Sequence, residues 1–277
     1  MSRGDRTGTS GILLSSMRSN YAEHGYYKKV GATYRNPHYP GVRQCLFAWF
    51  TTWWKNEHEG FASEGPVIFD MACEAIIALQ DWWTRAITPP KPIPATSASG
   101  LPLPRRQVAH LNLPGLGPGT PRPRVFAADP YTAEAYQSRV SLPCSPLSFR
   151  DVAGGALPNT LCTLPLPSSD YREGFSRPDS QATHANTPPE SIDIVLCSFA
   201  LHLVESPSEL FALLWELSTK CRWLIVLEPH KKPEIKDGWG WTKWDVKSWS
   251  ACRMAETQGE YLYDRVHCRV YRSLNLS

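Results

Sequence analysis

The sequence lacks the marks of a metal-binding, disulfide-rich or secreted protein. Its eight cysteines include no CxxC pair and no Cys/His cluster with the spacing of metal ligands, and several lie inside apolar runs. We therefore expect reduced, buried thiols and no metal site. No cleavage-site pattern follows the first residues, and no apolar run is long enough to cross a membrane. These absences predict a protein of the cytoplasm or nucleus without a membrane partner.

A strong charge of one sign is missing as well. The 29 Lys and Arg residues and 26 Asp and Glu residues leave a net charge of +3, which neither requires nor excludes a nucleic-acid partner. Proline is abundant instead, with 25 residues concentrated in polar stretches. We interpret two stretches, 88–124 and 165–190, as low-complexity insertions, because proline can neither continue a helix nor sit in a central strand. The remainder is predicted to be one domain, 21–277, after a flexible tail, 1–20.

Strand and helix patterns alternate along this domain. Apolar runs predict strands at 67–73, 125–129, near 147–151, within 191–204 and at 222–230, with a terminal strand or hairpin at 260–273. Helical spacing of apolar residues predicts helices at 41–56, 74–83, 130–140 and 206–221. Such alternation is typical of an α/β fold built on a mostly parallel sheet with helices on both faces.

Acidic or small polar residues follow several of the predicted strands. Ligands of such sheets bind at the carboxyl ends of the strands. Asp70, Asp129, Asp151 and residues 198–200 are therefore expected on one edge of the sheet.

Taken in order, these segments resemble class I S-adenosylmethionine-dependent methyltransferases over about 65–275. The segments VIFDMAC, VFAAD, FRDVAGGALP, IDIVLCSFALHLV and WLIVLEPH are similar to the first five strands of that family and the residues that follow them. The N-terminal segment 21–40 and the segment 191–247 further suggest an uncharacterised fungal branch. The resemblance implies a Rossmann-like methyltransferase fold with an antiparallel terminal strand, and S-adenosylmethionine as the cofactor.

The resemblance also assigns residues to the cofactor. Asp129 stands where the family holds the ribose hydroxyls, and Asp151 stands where an acid contacts the adenine amino group. The cofactor-binding residues that it implies are Asp70, Ala72, Cys73, Glu74, Asp129, Pro130, Asp151, Val152, Ser198 and Phe199.

The turn after the first strand departs from the family. Asp70 to Glu74 reads DMACE, whereas the family has a Gly-x-Gly turn before the acid, and inserting Gly-Ser-Gly between Cys73 and Glu74 would restore it. Such glycines let backbone N–H groups approach a ligand closely. The glycines at 115–119 cannot replace them, because they lie too near the next strand for a crossover helix. Either this chain lost the turn or its coding sequence lost a few codons.

Two functional hypotheses follow from this comparison. The first is a methyltransferase acting on a small-molecule or macromolecular acceptor that the sequence does not identify. The alternative is a catalytically inactive methyltransferase-like scaffold that binds a protein or RNA partner. A dinucleotide enzyme is less favoured, because pyrophosphate requires the missing glycines even more strongly.

Other residues are candidates for the acceptor side of the site. Tyr34, Asn36 and His38 form either a lid over the cofactor or acceptor, or a turn fixed by the neighbouring prolines. His202, Glu228 and His230 are candidates for a general base or acceptor contacts, with a structural role as the alternative. The segment 230–249 mixes Lys with Trp, a pattern found in nucleic-acid-binding surfaces, lids and ordered loops. A nucleic-acid partner is possible but is not favoured.

Overall fold

The computed structural model describes residues 36–61, 64–71, 75–88, 113–117, 119–165, 191–204, 206–229 and 232–276. Its helices are α1 (Tyr39–Glu57), α2 (Ala75–Ile87), α3 (Ala133–Val140), α4 (Phe149–Ala153) and α5 (Pro207–Ser218). Its strands are β1 (Val67–Met71), β2 (Arg124–Ala128), β3 (Cys162–Thr163), β4 (Ile192–Ser198), β5 (Cys221–Glu228), β6 (Trp241–Asp245), β7 (Ser250–Cys252), β8 (Tyr261–Tyr263) and β9 (Val266–Ser273). Short 3₁₀ turns cover His58–Phe61 and Leu201–Leu203.

The strands form one sheet in the order β3-β2-β1-β4-β5-β9-β6-β7, with β8 paired to β9. The four central strands, β2, β1, β4 and β5, are parallel. The terminal strand β9 runs antiparallel to both β5 and β6, between which it lies. The predicted Rossmann-like α/β architecture with an antiparallel terminal strand is confirmed.

The two faces of the sheet carry separate apolar cores. On one face, α1 and α2 pack through buried tryptophans, namely Trp49, Trp53, Trp82 and Trp83. On the other face, α5 buries Leu210, Leu213, Leu214 and Leu217 against the central strands. These residues recur at helical spacing. The pattern that predicts α1, α2 and α5 therefore also decides which side of each helix is buried against the sheet.

One predicted strand is wrong. Around Asp151 the chain forms the short helix α4 rather than a third strand. Ser148 caps the helix by accepting from the Asp151 N–H, and the Asp151 carboxylate in turn accepts from the Ser148 N–H, which satisfies donors that an extended chain would have paired in the sheet. On the side of β2 away from β1, the parallel pairing among the described residues is limited to one bridge between Ala128 and Ser145.

The Trp- and Lys-rich segment near 230–249 is partly a strand. Trp241 is 1% exposed and lies in β6, where its Nε1 donates to the Leu214 carbonyl at 2.7 Å. Lys243 is also buried, and its ammonium donates to Glu260 at 2.5 Å. These two residues are therefore part of the sheet and its packing, and they do not form an exposed stacking surface.

The predicted thiols and the lack of a membrane helix can both be checked in the described residues. Cys197 and Cys221 are buried, and the cysteines of this part of the chain are free thiols. None of its helices combines the length and the apolar character needed to cross a bilayer.

Candidate functional site

The carboxyl ends of the parallel strands bring several candidate residues to one edge. The strand order reverses between β1 and β4, because β2 follows on one side and β5 on the other. A crevice at such a switch point is where open α/β sheets bind ligands. Asp70 lies at the end of β1, Ser198 ends β4, and Glu228 ends β5.

Asp70 is fully buried at the junction of β1 and α2. Its Oδ2 accepts a hydrogen bond from the Ile76 N–H at 3.1 Å. The first N–H groups of a helix have no partner inside the helix, so the carboxylate stabilises the first turn of α2. Asp70 therefore fixes where the helix starts relative to the strand. Ala72, Cys73 and Glu74, predicted to contact the cofactor, lie outside the described residues.

His202 and Glu228 form a pair at the same edge. The Nδ1 of His202 lies 2.7 Å from the Glu228 Oε2, with the carboxylate side chain 1% exposed and the histidine side chain 32% exposed. A carboxylate can only accept, so the Nδ1 carries the proton and the Nε2 is the basic nitrogen of the neutral ring. The second oxygen of Glu228, Oε1, is buried without a hydrogen-bond partner among the described residues. His230, the third catalytic candidate, lies outside them.

The pKa of Cys197 indicates the electrostatic character of this edge of the sheet. Burial raises the pKa of its thiol well above the usual value, and the negative charges of Glu228 and Asp70 raise it further. Both carboxylates are therefore close enough to act on the same buried sulfur. Cys197 remains a neutral thiol between them, and the edge favours a cationic ligand over an anionic one.

Phe199 and His38 form an aromatic contact beside the pair. Phe199 directly follows β4 and has φ +56°, a left-handed conformation that is uncommon for a residue with a bulky side chain. Its ring stacks on His38 with a centroid distance of 5.4 Å and an interplanar angle of 15°. The contact joins the start of α1 to the carboxyl edge of the sheet.

Asn36 holds the turn that presents His38. Its side-chain Oδ1 accepts from the His38 N–H at 2.9 Å, and its carbonyl accepts from the Tyr39 N–H at 3.0 Å. Asn36 is buried, so its side chain is used to shape the turn. Tyr34, the third residue of the predicted lid, lies outside the described residues.

Asp129 follows β2 as predicted, and the exposed Pro130 comes next. Its Oδ1 accepts from the N–H groups of Tyr131 and Thr132, both at 2.8 Å. These bonds order the turn before α3 and leave Oδ2 as the carboxylate oxygen that they do not use.

Asp151 and Val152 are not at a strand end, contrary to the sequence prediction. The Asp151 carboxylate accepts from the Ser148 hydroxyl at 2.6 Å and from the Ser148 N–H at 2.8 Å, and these bonds lower the pKa of Asp151. Val152 is buried in the core under α5. The reason is the capping box of α4, whose Ser-x-x-Asp pattern is visible in the sequence.

The sequence alone also missed part of this edge. Cys197 was predicted to be a buried thiol, yet its position between two carboxylates follows only from the register of β1, β4 and β5. His267 lies opposite Glu228 in the β5–β9 pairing, and its Nδ1 is 3.4 Å from the Glu260 Oε2. No local pattern identifies such a neighbour, because it comes from a distant strand.

Comparison with known proteins places the chain in a family. It is 36% identical over 266 residues to the uncharacterised protein C17A5.05c of Schizosaccharomyces pombe, an alignment covering 94% of this chain and 93% of the yeast protein. The chain belongs to the family of that yeast protein. No protein-family model matches the chain.

A solved structure is also similar to this chain. Magnesium protoporphyrin IX methyltransferase (ChlM) from Synechocystis PCC 6803, determined with bound SAM, aligns with a TM-score of 0.41 and 11% identity. The alignment covers 93% of this chain and 94% of the cyanobacterial one. A match at this level adds nothing to the architecture that the strand order establishes.

Proposed function

We propose that this chain is an S-adenosylmethionine-dependent methyltransferase whose site is the crevice between β1 and β4. The observation that carries the proposal is the set of residues at this switch point, where Asp70, Phe199 and the His202–Glu228 pair come from separate parts of the sequence. The fold class and the order of the strand segments along the sequence support the same conclusion.

The residues present fit this cofactor chemically. Its sulfonium is a cation, which the buried carboxylates of Asp70 and Glu228 would favour. Its ribose hydroxyls are donors, and the Asp129 Oδ2 is an acceptor at the end of β2. The Ser198 hydroxyl and the Glu228 Oε1 are buried without partners among the described residues, and a ligand here would satisfy them.

Methyl transfer requires little of the protein beyond correct positioning of the two reactants. The bound cofactor would supply an activated methyl group. The chain's own contribution is to hold the acceptor in line with that methyl group and to keep water out, and such positioning can account for much of a rate enhancement. Asp129 would orient the nucleoside, while Phe199 and His38 would bound the crevice on the α1 side.

Calorimetric titration of the full chain with S-adenosylmethionine and S-adenosylhomocysteine tests this proposal. We expect binding of both, weakened about tenfold, or about 1.4 kcal/mol, by Asp129→Asn, because the amide accepts hydroxyl hydrogen bonds less strongly than the carboxylate. Glu134→Gln, an exposed neighbour in α3, is the matched control and should leave binding unchanged. Well-folded protein that gives no heat with either ligand would contradict the proposal.

The second candidate function is an inactive scaffold for a protein or RNA partner. It is favoured by the three residues, 72–74, that join β1 to α2 without a glycine. On the surface of α5, Phe211 and Trp215 are 39% and 43% exposed, and Phe211 also contacts Trp239 with a centroid distance of 5.8 Å. Such a patch offers contact area for a partner. Under this alternative, the chain binds no cofactor until the turn is restored.

A further inference from the structure

We propose that His202 is the base that removes a proton from the methyl acceptor, and that the acceptor group is therefore a hydroxyl or an ammonium rather than a carboxylate. The inference rests on the proposed function and deepens it, because it assigns the acceptor class. It is carried by the His202–Glu228 pair, by the burial of the carboxylate and by the charge at the edge of the sheet.

The pair has the geometry of an oriented base. Glu228 is rigidly placed because it ends a strand paired on both sides, with β4 and with β9. The Glu228 carboxylate accepts from the Nδ1 of His202 at 2.7 Å, which fixes the tautomer and makes the Nε2 the basic atom. The carboxylate is buried while a third of the histidine side chain is exposed, so the ring spans from the protein interior to the carboxyl edge.

The charges at the edge select against an anionic acceptor. Asp70 on β1 and Glu228 on β5 both act on the Cys197 thiol, so two negative charges lie near the crevice. A carboxylate acceptor would be repelled and would need no base, since it is already deprotonated at neutral pH. A hydroxyl or an ammonium avoids this repulsion and needs the proton acceptor that His202 provides.

The step balances with the cofactor as methyl donor. The acceptor's O–H or N–H bond breaks and its proton goes to the Nε2 of His202. The electron pair left on the acceptor forms the new bond to the methyl carbon, while the carbon–sulfur bond breaks and its pair stays on sulfur. The products are the methylated acceptor and a neutral thioether, and the imidazolium beside Glu228 then returns its proton to water.

Other titratable groups face this pair. Among the described residues these groups include Cys197 on β4, Asp70 on β1 and His267 on β9, opposite Glu228. His267 lies between Glu228 and Glu260 and so belongs to the same edge of the sheet. The histidine control is therefore His58, which caps the opposite end of α1 from His38 and has its Nδ1 2.9 Å from the Trp54 carbonyl oxygen.

Three variants of the full chain test the inference. His202→Asn keeps a donor near the position of Nδ1 but has no basic nitrogen. Glu228→Gln keeps the volume of the carboxylate but not its charge, and His58→Asn, at the far end of α1, is the control. Nuclear magnetic resonance of the histidine rings should show a proton of wild-type His202 on Nδ1, hydrogen-bonded to Glu228, and Glu228→Gln should disturb this arrangement. This readout needs neither cofactor nor acceptor.

The activity assay uses S-adenosylmethionine with a tritiated methyl group and an extract of Schizosaccharomyces pombe as the source of acceptors. We expect the transferred label to survive mild alkali, as methyl ethers and methylamines do. The wild-type rate should depend on pH, because a general base must be unprotonated to act. His202→Asn should lower the rate by about 10²- to 10⁴-fold and remove this dependence. Its cofactor affinity should stay at the wild-type level, and so should the rate of the His58→Asn control.

Two results would overturn the inference and leave the proposed function standing. One is label released as methanol by mild alkali, which marks a methyl ester and a carboxylate acceptor. The other is a His202→Asn variant that keeps the wild-type rate and pH profile. A failure of the proposed function itself would be recognised by a different result, namely that the wild-type chain does not bind S-adenosylmethionine.

Discussion

Phe199 is the residue at which the backbone of the candidate site departs most from ordinary geometry. Its φ of +56° places it in a region that glycine enters freely and other residues enter at a cost. Strain of this kind persists where the surrounding structure enforces it, and it is often found at functional sites. At Phe199 the stacked ring of His38 and the turn held by Asn36 supply that enforcement.

We predict that Phe199→Gly is more stable than Phe199→Ala by about 1 kcal/mol. Both changes remove the ring contact with His38, but only glycine relieves the left-handed conformation. Urea denaturation followed by circular dichroism measures the difference. The order is the reverse of the usual one, since alanine normally leaves a chain more stable than glycine.

Val204 provides the control for this prediction. It lies nearby in the same connection with φ −74°, an ordinary value. At Val204 the alanine variant should therefore be the more stable of the two. An alanine variant at position 199 that is more stable than the glycine variant, as at Val204, would mean that the conformation there carries no strain.

At the scale of elements, the placement of α1 depends on a close approach at Gly41. A Cβ added there would lie 2.5 Å from the Tyr263 carbonyl oxygen and 2.8 Å from the Val266 Cγ2. The first of these atoms belongs to the backbone of the last residue of β8 and cannot move aside. Gly41 thus allows the start of α1, next to His38, to pack directly on the terminal hairpin.

We predict that Gly41→Ala lowers the free energy of unfolding by about 1–3 kcal/mol. Inside a helix the same change ordinarily raises stability by about 1 kcal/mol, so the sign itself is the test. Thermal and urea denaturation give the measurement. Gly60→Ala is the matched control, because a Cβ at Gly60 meets nothing within 4 Å. A stabilised Gly41→Ala protein would mean that α1 packs elsewhere.

The same scale explains what could be predicted from the sequence. The central strands and α5 were predictable, because long apolar runs and the Ser206 cap are local signals. The helix at Asp151 also has a local signal in Ser148, but it was outweighed by the expectation of a strand. The sequence analysis misses β6 because its partner β9 lies far along the chain, so no local pattern marks the pairing.

The candidate site was predictable only in parts. The sequence identifies His202 because it follows the fourth predicted strand and Glu228 because it lies at the end of the fifth. Their pairing depends on β4 and β5 being neighbours in register. The stacking of His38 on Phe199 likewise joins residues that are far apart along the chain. Local patterns give the residue types of a site, and the sheet decides which of them meet.

At the scale of the whole molecule, the connection from β1 to α2 decides whether the fold binds its cofactor. Only residues 72–74 separate Met71 from Ala75, and none of them is glycine. The rest of the carboxyl edge does not depend on this connection, since Asp129, Phe199 and Glu228 are placed by other strands. The fold and most of the site can therefore exist with a short turn, and the turn should control affinity more than folding.

We predict that inserting Gly-Ser-Gly between Cys73 and Glu74 tightens S-adenosylmethionine binding by about tenfold, or about 1.4 kcal/mol. The glycines would let backbone N–H groups approach the ligand at the start of α2, which the present turn has too few residues to do. Calorimetry gives the affinity, and the rise in melting temperature on adding ligand gives an independent check, because a ligand that binds only the folded state stabilises it. An insertion of Ala-Ser-Ala at the same place controls for length.

The outcomes of this insertion separate the two candidate functions. The methyltransferase is supported if the parent chain binds the cofactor and the chain with the insertion binds it more tightly. If Ala-Ser-Ala has no effect on binding, glycine rather than length is the cause. Binding that appears only after insertion identifies the parent as an inactive scaffold derived from an enzyme, and its exposed aromatic patch on α5 then becomes the surface on which to look for a partner. Absence of binding in both chains would contradict the methyltransferase proposal.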